Sequence, residues 1–176
     1  MTNPRVLGIS GWSGAGKTTL LTKLIPELAR RGLSVATLKH AHHAFDVDQP
    51  GKDSYEHRKA GARQVLISSE RRWVLMHENA GAPEPRLAEL LRRLSPCDLV
   101  LIEGFKKERH PKLEIYRASV GKPPLHPDDP RVIAVASDGS VEGPLPRLDL
   151  DDVQGIADFV VAHARPLTDV LRDLEG

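Results

Sequence analysis

The sequence is poor in several things that would each have narrowed its class. It holds one cysteine, Cys97, so no disulfide can close within the chain and no CxxC metal or redox pair is present. Directly before an apolar run, that cysteine reads as a small buried residue at a strand start. Aromatic residues are 4% of the total, so Leu, Val, Ile and Ala must build the core, a composition suited to buried parallel strands covered by helices. Net charge is nearly absent, +1 from 25 basic and 24 acidic residues, and no basic tail offers an electrostatic case for nucleic-acid binding. No apolar run approaches the ~20 residues that span a bilayer, and the first residues show no leader pattern. These absences lead us to expect a cytoplasmic protein with no membrane or nucleic-acid partner. A length of 176 residues, 40% of them hydrophobic, suits a single domain over 1–176 with a real core.

What is there alternates. The run RVLGIS (5–10) enters a glycine-rich turn and then KTTLLTKLIPELARRG, where Leu20, Leu21, Leu24 and Leu28 recur at helical spacing and Gly32 stops the helix. Pro26 lies inside that pattern and is expected to kink it. LSVATLKH (33–40) follows as a second strand, completing a βαβ unit. Asp53 is expected to cap a short helix, with Glu56 three residues on. ARQVLISS and RRWVLMHE read as a hairpin near 63–78, EPRLAELLRRL as an amphipathic helix, and CDLVLIEG (97–104) as a central strand, with Asp98 structural at its start. KLEIYR and RVIAVASD add strands, ASVGKPPLHPDDP is a loop, and DLDDVQGIADFVVAHA and TDVLRDLE are helices. The fold class is therefore α/β: a P-loop NTPase three-layer fold with a mostly parallel central sheet flanked by helices.

The chemistry sits in GWSGAGKT, Gly11 to Thr18, a complete G-x-x-x-x-G-K-[ST] pattern between a strand and a helix. Glycines let successive amides turn toward phosphate oxygens, and the helix N-terminus adds its positive dipole end. Gly11, Ser13, Gly14, Ala15, Gly16, Lys17, Thr18 and Thr19 are the nucleotide-binding candidates, with Lys17 reaching the β and γ phosphates and Thr18 ligating Mg²⁺. Such a site needs an acid at the end of an apolar strand. Glu103 supplies it, so Lys17 and Glu103 are the candidate catalytic pair, and Thr18 and Glu103 the metal ligands, with Asp48 a further candidate. Asp138 ends a late strand and can accept hydrogen bonds from guanine N1 and its 2-amino group, a donor pair adenine lacks. The Asn-Lys-x-Asp signature is absent, and a Ser-Asp-Gly turn is the competing reading. No glutamine is evident to orient an attacking water and no arginine reads as a finger, so any hydrolysis should be slow.

The segment LKHAHHAFDVDQPGKDS (38–54) follows the P-loop helix and its strand. Lys39, His40, His42, His43, Lys52 and Arg58 form a candidate second-ligand set near a phosphate pocket. Three readings stay open: an anion site, a transition-metal site of imidazole and carboxylate, and a solvated loop.

On GISGWSGAGKTTLLTKLIPEL, LKHAHH, DVDQPGKDSYEHRKAGA, RRWVLMHE, LIEGFK, RVIAVASD and DVQGIADFV, the sequence resembles the molybdopterin-guanine dinucleotide biosynthesis protein B family, MobB. The resemblance covers most of the chain and is weakest in the Pro-rich loop at 118–130. It implies a GTP-binding homodimer that assists attachment of GMP to molybdopterin, with Mg²⁺ and with molybdopterin or its molybdenum form as a further ligand. Nucleotidyl transfer would belong to the partner MobA, and molybdenum-insertion proteins and molybdoenzymes are further partners. The chain itself would be an adaptor with at most slow GTPase activity. Two other classes fit the same P-loop: a metal-insertion GTPase and a small-molecule kinase.

Overall fold

The computed structural model describes residues 3–41 and 45–176. In chain order the elements are β1 (Arg5–Ser10), α1 (Lys17–Arg30), β2 (Val35–Lys39), α2 (Asp53–Lys59), β3 (Gln64–Ser68), β4 (Trp73–His77), α3 (Leu87–Arg92), β5 (Leu99–Glu103), β6 (Lys112–Tyr116), β7 (Val132–Ser137), β8 (Arg147–Asp149), α4 (Val153–His163), β9 (Arg165–Pro166) and α5 (Leu167–Glu175). The chain divides into two compact units: one joins the residues up to His40 with Leu87–Gly176, and the other is Ala41–Arg86.

The larger unit is built on a sheet in the order β2-β5-β1-β6-β7-β8, with β9 also pairing with β1. All neighbours along that order run parallel. The mostly parallel sheet expected from the apolar runs is present. The ladder to β6 begins only at Gly8, which leaves the start of β1 to the antiparallel β9, where Arg5 pairs with Pro166. Strand parity then sorts the core. Leu7, Ile9, Leu101, Leu113, Ile115 and Ala136 point to the face covered by α1 and α4. Val6, Val100 and Ile102 point to the face covered by α3 and α5. Leu24 and Leu28 are fully buried, and each such side chain contributes roughly 1.5–3 kcal/mol by leaving water.

Helix α1 runs unbroken through Pro26, which sits on its exposed side; the carbonyl a proline cannot satisfy therefore faces solvent. Gly32, at φ 83, ends the helix as its amide bonds to Ala29 O, the usual role of a left-handed residue at that place. Asp152 caps α4 by accepting from the Gly155 amide. Asp98 is structural, as its carboxylate accepts from the Ser34 amide and hydroxyl. Cys97 is half-buried and its thiol is pushed up by desolvation.

The smaller unit holds α2 and the expected hairpin of β3 and β4, in which Val65 pairs with Met76 and Leu66 with Leu75. Val65 is buried, while Leu66, Trp73 and Leu75 on the opposite face are 61%, 63% and 46% exposed. One expectation is corrected here. Asp53 is the first residue inside α2, and Lys52 is the extended N-cap with no side-chain cap bond. A turn in which the Lys52 amide bonds Gln49 O delivers Lys52 to that place, and Asp53 acts only as an acid in the first turn.

Candidate nucleotide site

Between β1 and α1 the backbone turns through positive φ at Gly11 (140), Gly14 (82) and Gly16 (97). At Gly11 the reason is also steric, since a Cβ there would stand 2.5 Å from the Ile115 carbonyl oxygen. Gly16 is the N-cap of α1 and provides no side-chain cap, so the helix opens toward the loop with its positive dipole end uncovered by a side chain. Lys17 curls back over this cradle, donating to Gly11 O at 3.0 Å and Trp12 O at 2.9 Å. Burial lowers its pKa, Glu103 opposes that shift, and Lys106 and Lys39 reinforce it. The ammonium therefore sits among other cations with one carboxylate to balance them, a field suited to a polyanion. Ser13, Thr18 and Thr19 are exposed around the rim, and Ala15 is buried beneath it.

Glu103 ends β5 level with Ile9 of β1, so the acid stands beside the strand that delivers the P-loop. Lys39 Nζ lies 3.6 Å from its Oε1. The His40 amide donates to Glu103 O at 3.0 Å, and the His40 ring is tilted against Phe105 at 4.8 Å. Gly104 (φ 92) and Phe105 (φ 49) turn the chain away directly after the acid. Of the second-ligand candidates, Lys39 and His40 are thus brought beside Glu103.

Four side chains that the sequence did not mark complete this end of the site. Trp12, inside the P-loop, donates its indole N–H to Pro123 O at 2.7 Å, and Lys106 Nζ lies 4.4 Å above its ring. Behind them β6 turns Lys112 and Glu114 into the protein, both almost fully buried. Lys112 donates to Lys106 O, Glu108 O and Asp129, each at 2.8 Å. Glu114 accepts from the amides of Leu125 and His126 at 2.6 and 3.0 Å. Buried ions this well supplied with partners fix the loops they touch. The Pro-rich loop and the loop after Glu103 are held in this way.

On the other flank Asp138 directly follows β7, as expected, and Ser137 Oγ accepts from the Gly139 amide in a local turn. Arg117, at the end of β6, donates to Asp138 Oδ2 at 2.6 Å and, through Nε, to Ala15 O at 3.3 Å.

In the smaller unit Arg58 meets Asp48 through Nε and a terminal nitrogen at 3.3 and 2.7 Å. Asp46 lies at 2.9 Å and Glu78 at 3.7 Å from the same guanidinium. The Arg58 bond holds the Asp48 carboxyl below its ordinary value. Both are engaged with each other, and the cluster as a whole is acidic. A cavity of about 660 Å³ beside it is lined by Phe45, Val47, Val74 and Met76 among others. Lys52 is exposed. His42 and His43 lie outside the described residues.

The family profile described as MobB, molybdopterin guanine dinucleotide synthesis protein B, matches residues 6–138. The molybdopterin-guanine dinucleotide biosynthesis adapter protein of Escherichia coli (strain K12) is 49% identical over 159 residues, 89% of this chain and 91% of its own. Its counterpart of the same description in Haemophilus influenzae is 43% identical over 158 residues, 88% of this chain and 86% of its own. A crystal structure of molybdopterin-guanine biosynthesis protein B superposes with a TM-score of 0.70 at 30% identity, covering 89% of this chain and 98% of the other.

Proposed function

Because the chain belongs to the MobB family, we propose that it is a GTP-binding adapter protein serving the conversion of molybdopterin to molybdopterin guanine dinucleotide. The observation that carries the nucleotide part is the placement of Lys17 in a cradle of P-loop carbonyls with Glu103 at the adjoining strand end. That edge of a parallel sheet is where anionic ligands are held.

Gly11 to Thr19 would hold the phosphates, with Lys17 exchanging its carbonyl partners for phosphate oxygens. The Thr18 hydroxyl and the Glu103 carboxylate are hard oxygen donors at the same edge and fit Mg²⁺. When bound, that ion would neutralise charge on the phosphates. Asp138 would read the guanine edge. With no cis arginine assigned to a transition state, hydrolysis by the chain alone should be slow, and nucleotidyl transfer falls to the partner MobA. Molybdopterin, or its molybdenum form, would be the ligand of the segment that begins at Lys39 and His40.

The exposed apolar face of the hairpin, Leu66, Trp73 and Leu75, supports a homodimer, since an isolated two-stranded sheet is marginal in water. Among the described residues no helix is long and apolar enough to cross a membrane, and we place the protein in the cytoplasm.

Calorimetric titration of GTP and ATP with Mg²⁺ into wild type and Asp138→Ala tests the nucleotide reading, with GTP preferred only by the wild type. Capture of MobA by the tagged full chain, weakened when nucleotide is removed, tests the adapter reading. Equal affinity for both nucleotides would overturn the guanine assignment.

A further inference from the structure

We propose that Arg117 is an internal competitor for guanine, which occupies Asp138 and the crevice beside Gly16 until a guanine nucleotide displaces it, and so sets guanine affinity. This rests on the reading of Asp138 as the base-recognising carboxylate.

The position of Arg117 is the first support. It leaves the end of β6, and its guanidinium bridges two parts of the nucleotide site: Nε donates to Ala15 O of the P-loop at 3.3 Å, and a terminal nitrogen donates to Asp138 Oδ2 at 2.6 Å. A Cβ at Gly16 would stand 3.4 Å from that Nε, so the arm lies flat along the loop. Chemistry is the second support. A guanidinium and the N1/N2 edge of guanine are both planar arrays of adjacent N–H donors, and both suit a carboxylate acceptor. Arg117 therefore offers Asp138 from within the chain the kind of donor that guanine would bring from outside. Space is the third. The crevice lined by Gly16, Thr19, Lys23, Arg117, Leu150 and Asp151 among others has a volume of about 20 Å³, room for about one water molecule and no base. Arg117 forms one wall of it, so withdrawing the arginine would widen it.

The exchange breaks two bonds of Arg117, to Asp138 and to Ala15 O, and makes two to guanine, leaving Ala15 O to water. Asp138 gives up an Arg117 N–H and accepts the N1–H and N2–H of guanine, while the released guanidinium returns to water, which it reaches readily because both side chains are about one-third exposed. Adenine carries no such donor pair. Its single amino donor can give Asp138 one bond at most, beside an N1 lone pair that the carboxylate repels, so it offsets the displacement less than guanine does.

The test is Arg117→Met in the full chain, titrated with Mg²⁺ and each of GTP, GDP, ATP and inorganic tripolyphosphate. The pair is partly exposed, so its competition is modest. We expect the dissociation constants of GTP and GDP to fall about two- to fivefold, with tripolyphosphate unchanged. Unchanged tripolyphosphate binding also shows that the variant has kept its P-loop. Arg117→Lys, which keeps the charge and loses the planar fork, should shift in the same direction by less.

Weaker binding of GTP and tripolyphosphate together would make Arg117 a phosphate ligand and overturn the proposal. So would unchanged GTP affinity in Arg117→Met while Asp138→Ala still loses its preference for GTP; in that case the base reading stands and the competitor fails alone. If wild type and Asp138→Ala bind GTP and ATP alike, the base reading fails and takes this proposal with it.

Discussion

His126 and Glu114 are joined inside the protein: the imidazole Nδ1 lies 3.1 Å from a carboxylate oxygen that also accepts from the His126 amide. The second carboxylate oxygen accepts from Leu125. One buried side chain of β6 thus holds the Pro-rich loop by three bonds, and that loop in turn offers Pro123 O to the P-loop indole.

Glu114→Ala removes the acceptor and leaves those donors buried without partners. Losses of this kind cost roughly 3 kcal/mol or more. A urea titration should show the midpoint falling with an unchanged slope, and amide exchange over 121–130 should accelerate. An unchanged midpoint would show that the loop is not held from below.

Lys17→Ala should lower GTP affinity by about two orders of magnitude, read by calorimetry, because the ammonium is the charge closest to the cradle. The Lys17 charge also burdens the fold: burial makes an unfavourable contribution to stability that is full at neutral pH and fades at high pH. The folded-state pKa of Lys17 is lowered, chiefly by burial, so the unfolded chain holds the proton more tightly. Between the lowered value and the ordinary 10.5, stability gains from Lys17 as pH rises. Nucleotide phosphates reverse the shift, so binding near the lowered pKa should take up protons. Titrations in buffers of different ionisation enthalpy measure that uptake.

His110 is buried with both ring nitrogens unpartnered, and burial, then Lys112, push its pKa down to about 3 from 6.5. The folded protein therefore refuses a proton that the unfolded chain accepts between those values, and stability falls as pH drops through that window. His110→Leu should flatten this acid-side decline, by up to about 1.4 kcal/mol per pH unit. Unfolding free energies at pH 4.5 and 7 would check it. Gly8→Ala is expected to destabilise as well, because its Cβ would collide with the His110 ring. His110→Ala in the same chain should restore part of that loss.

Arg58→Ala leaves Asp46, Asp48 and Glu78 facing one another without their cation. Amide exchange across 45–86 should rise by an order of magnitude or more, while tripolyphosphate binding at the P-loop stays as in wild type. Since the Asp48 pKa is lowered by Arg58, its contribution is present above the ordinary carboxylate pKa and is lost as pH falls through the lowered value. Protection of this segment in wild type should therefore fade in acid.

How far the sequence could be read depends on how local each signal is. GWSGAGKT and CDLVLIEG carry their meaning within eight residues, so the P-loop, the central strand and Glu103 were legible. The hairpin was legible from two adjacent β-rich runs. Strands β8 and β9, of three and two residues, are too short to leave a period. Asp53 looked like a cap because its residue type fits, but the turn before it puts Lys52 in that place. Arg117 was missed for another reason: its meaning depends on β6 and β7 being neighbours, which brings residues 117 and 138 together. Lys112 and Glu114 gave no sign of burial either, since charged residues alternating along a strand ordinarily mark a solvated face.

Lys112 has a consequence for how the molecule transmits force. A single ammonium ties the carbonyls of Lys106 and Glu108, just beyond the metal-side acid, to Asp129, whose carbonyl receives the first amide of the strand leading to Asp138. The loop after the strand end proposed to hold the metal and the root of the strand proposed to read the base are therefore tied together through one buried ammonium. Were Lys106 to shift toward a bound anion, the bond from Lys112 to its carbonyl would carry that shift to Asp129 and so to the first amide of β7. Occupancy of either end would then be felt at the other without any rearrangement of the P-loop between them.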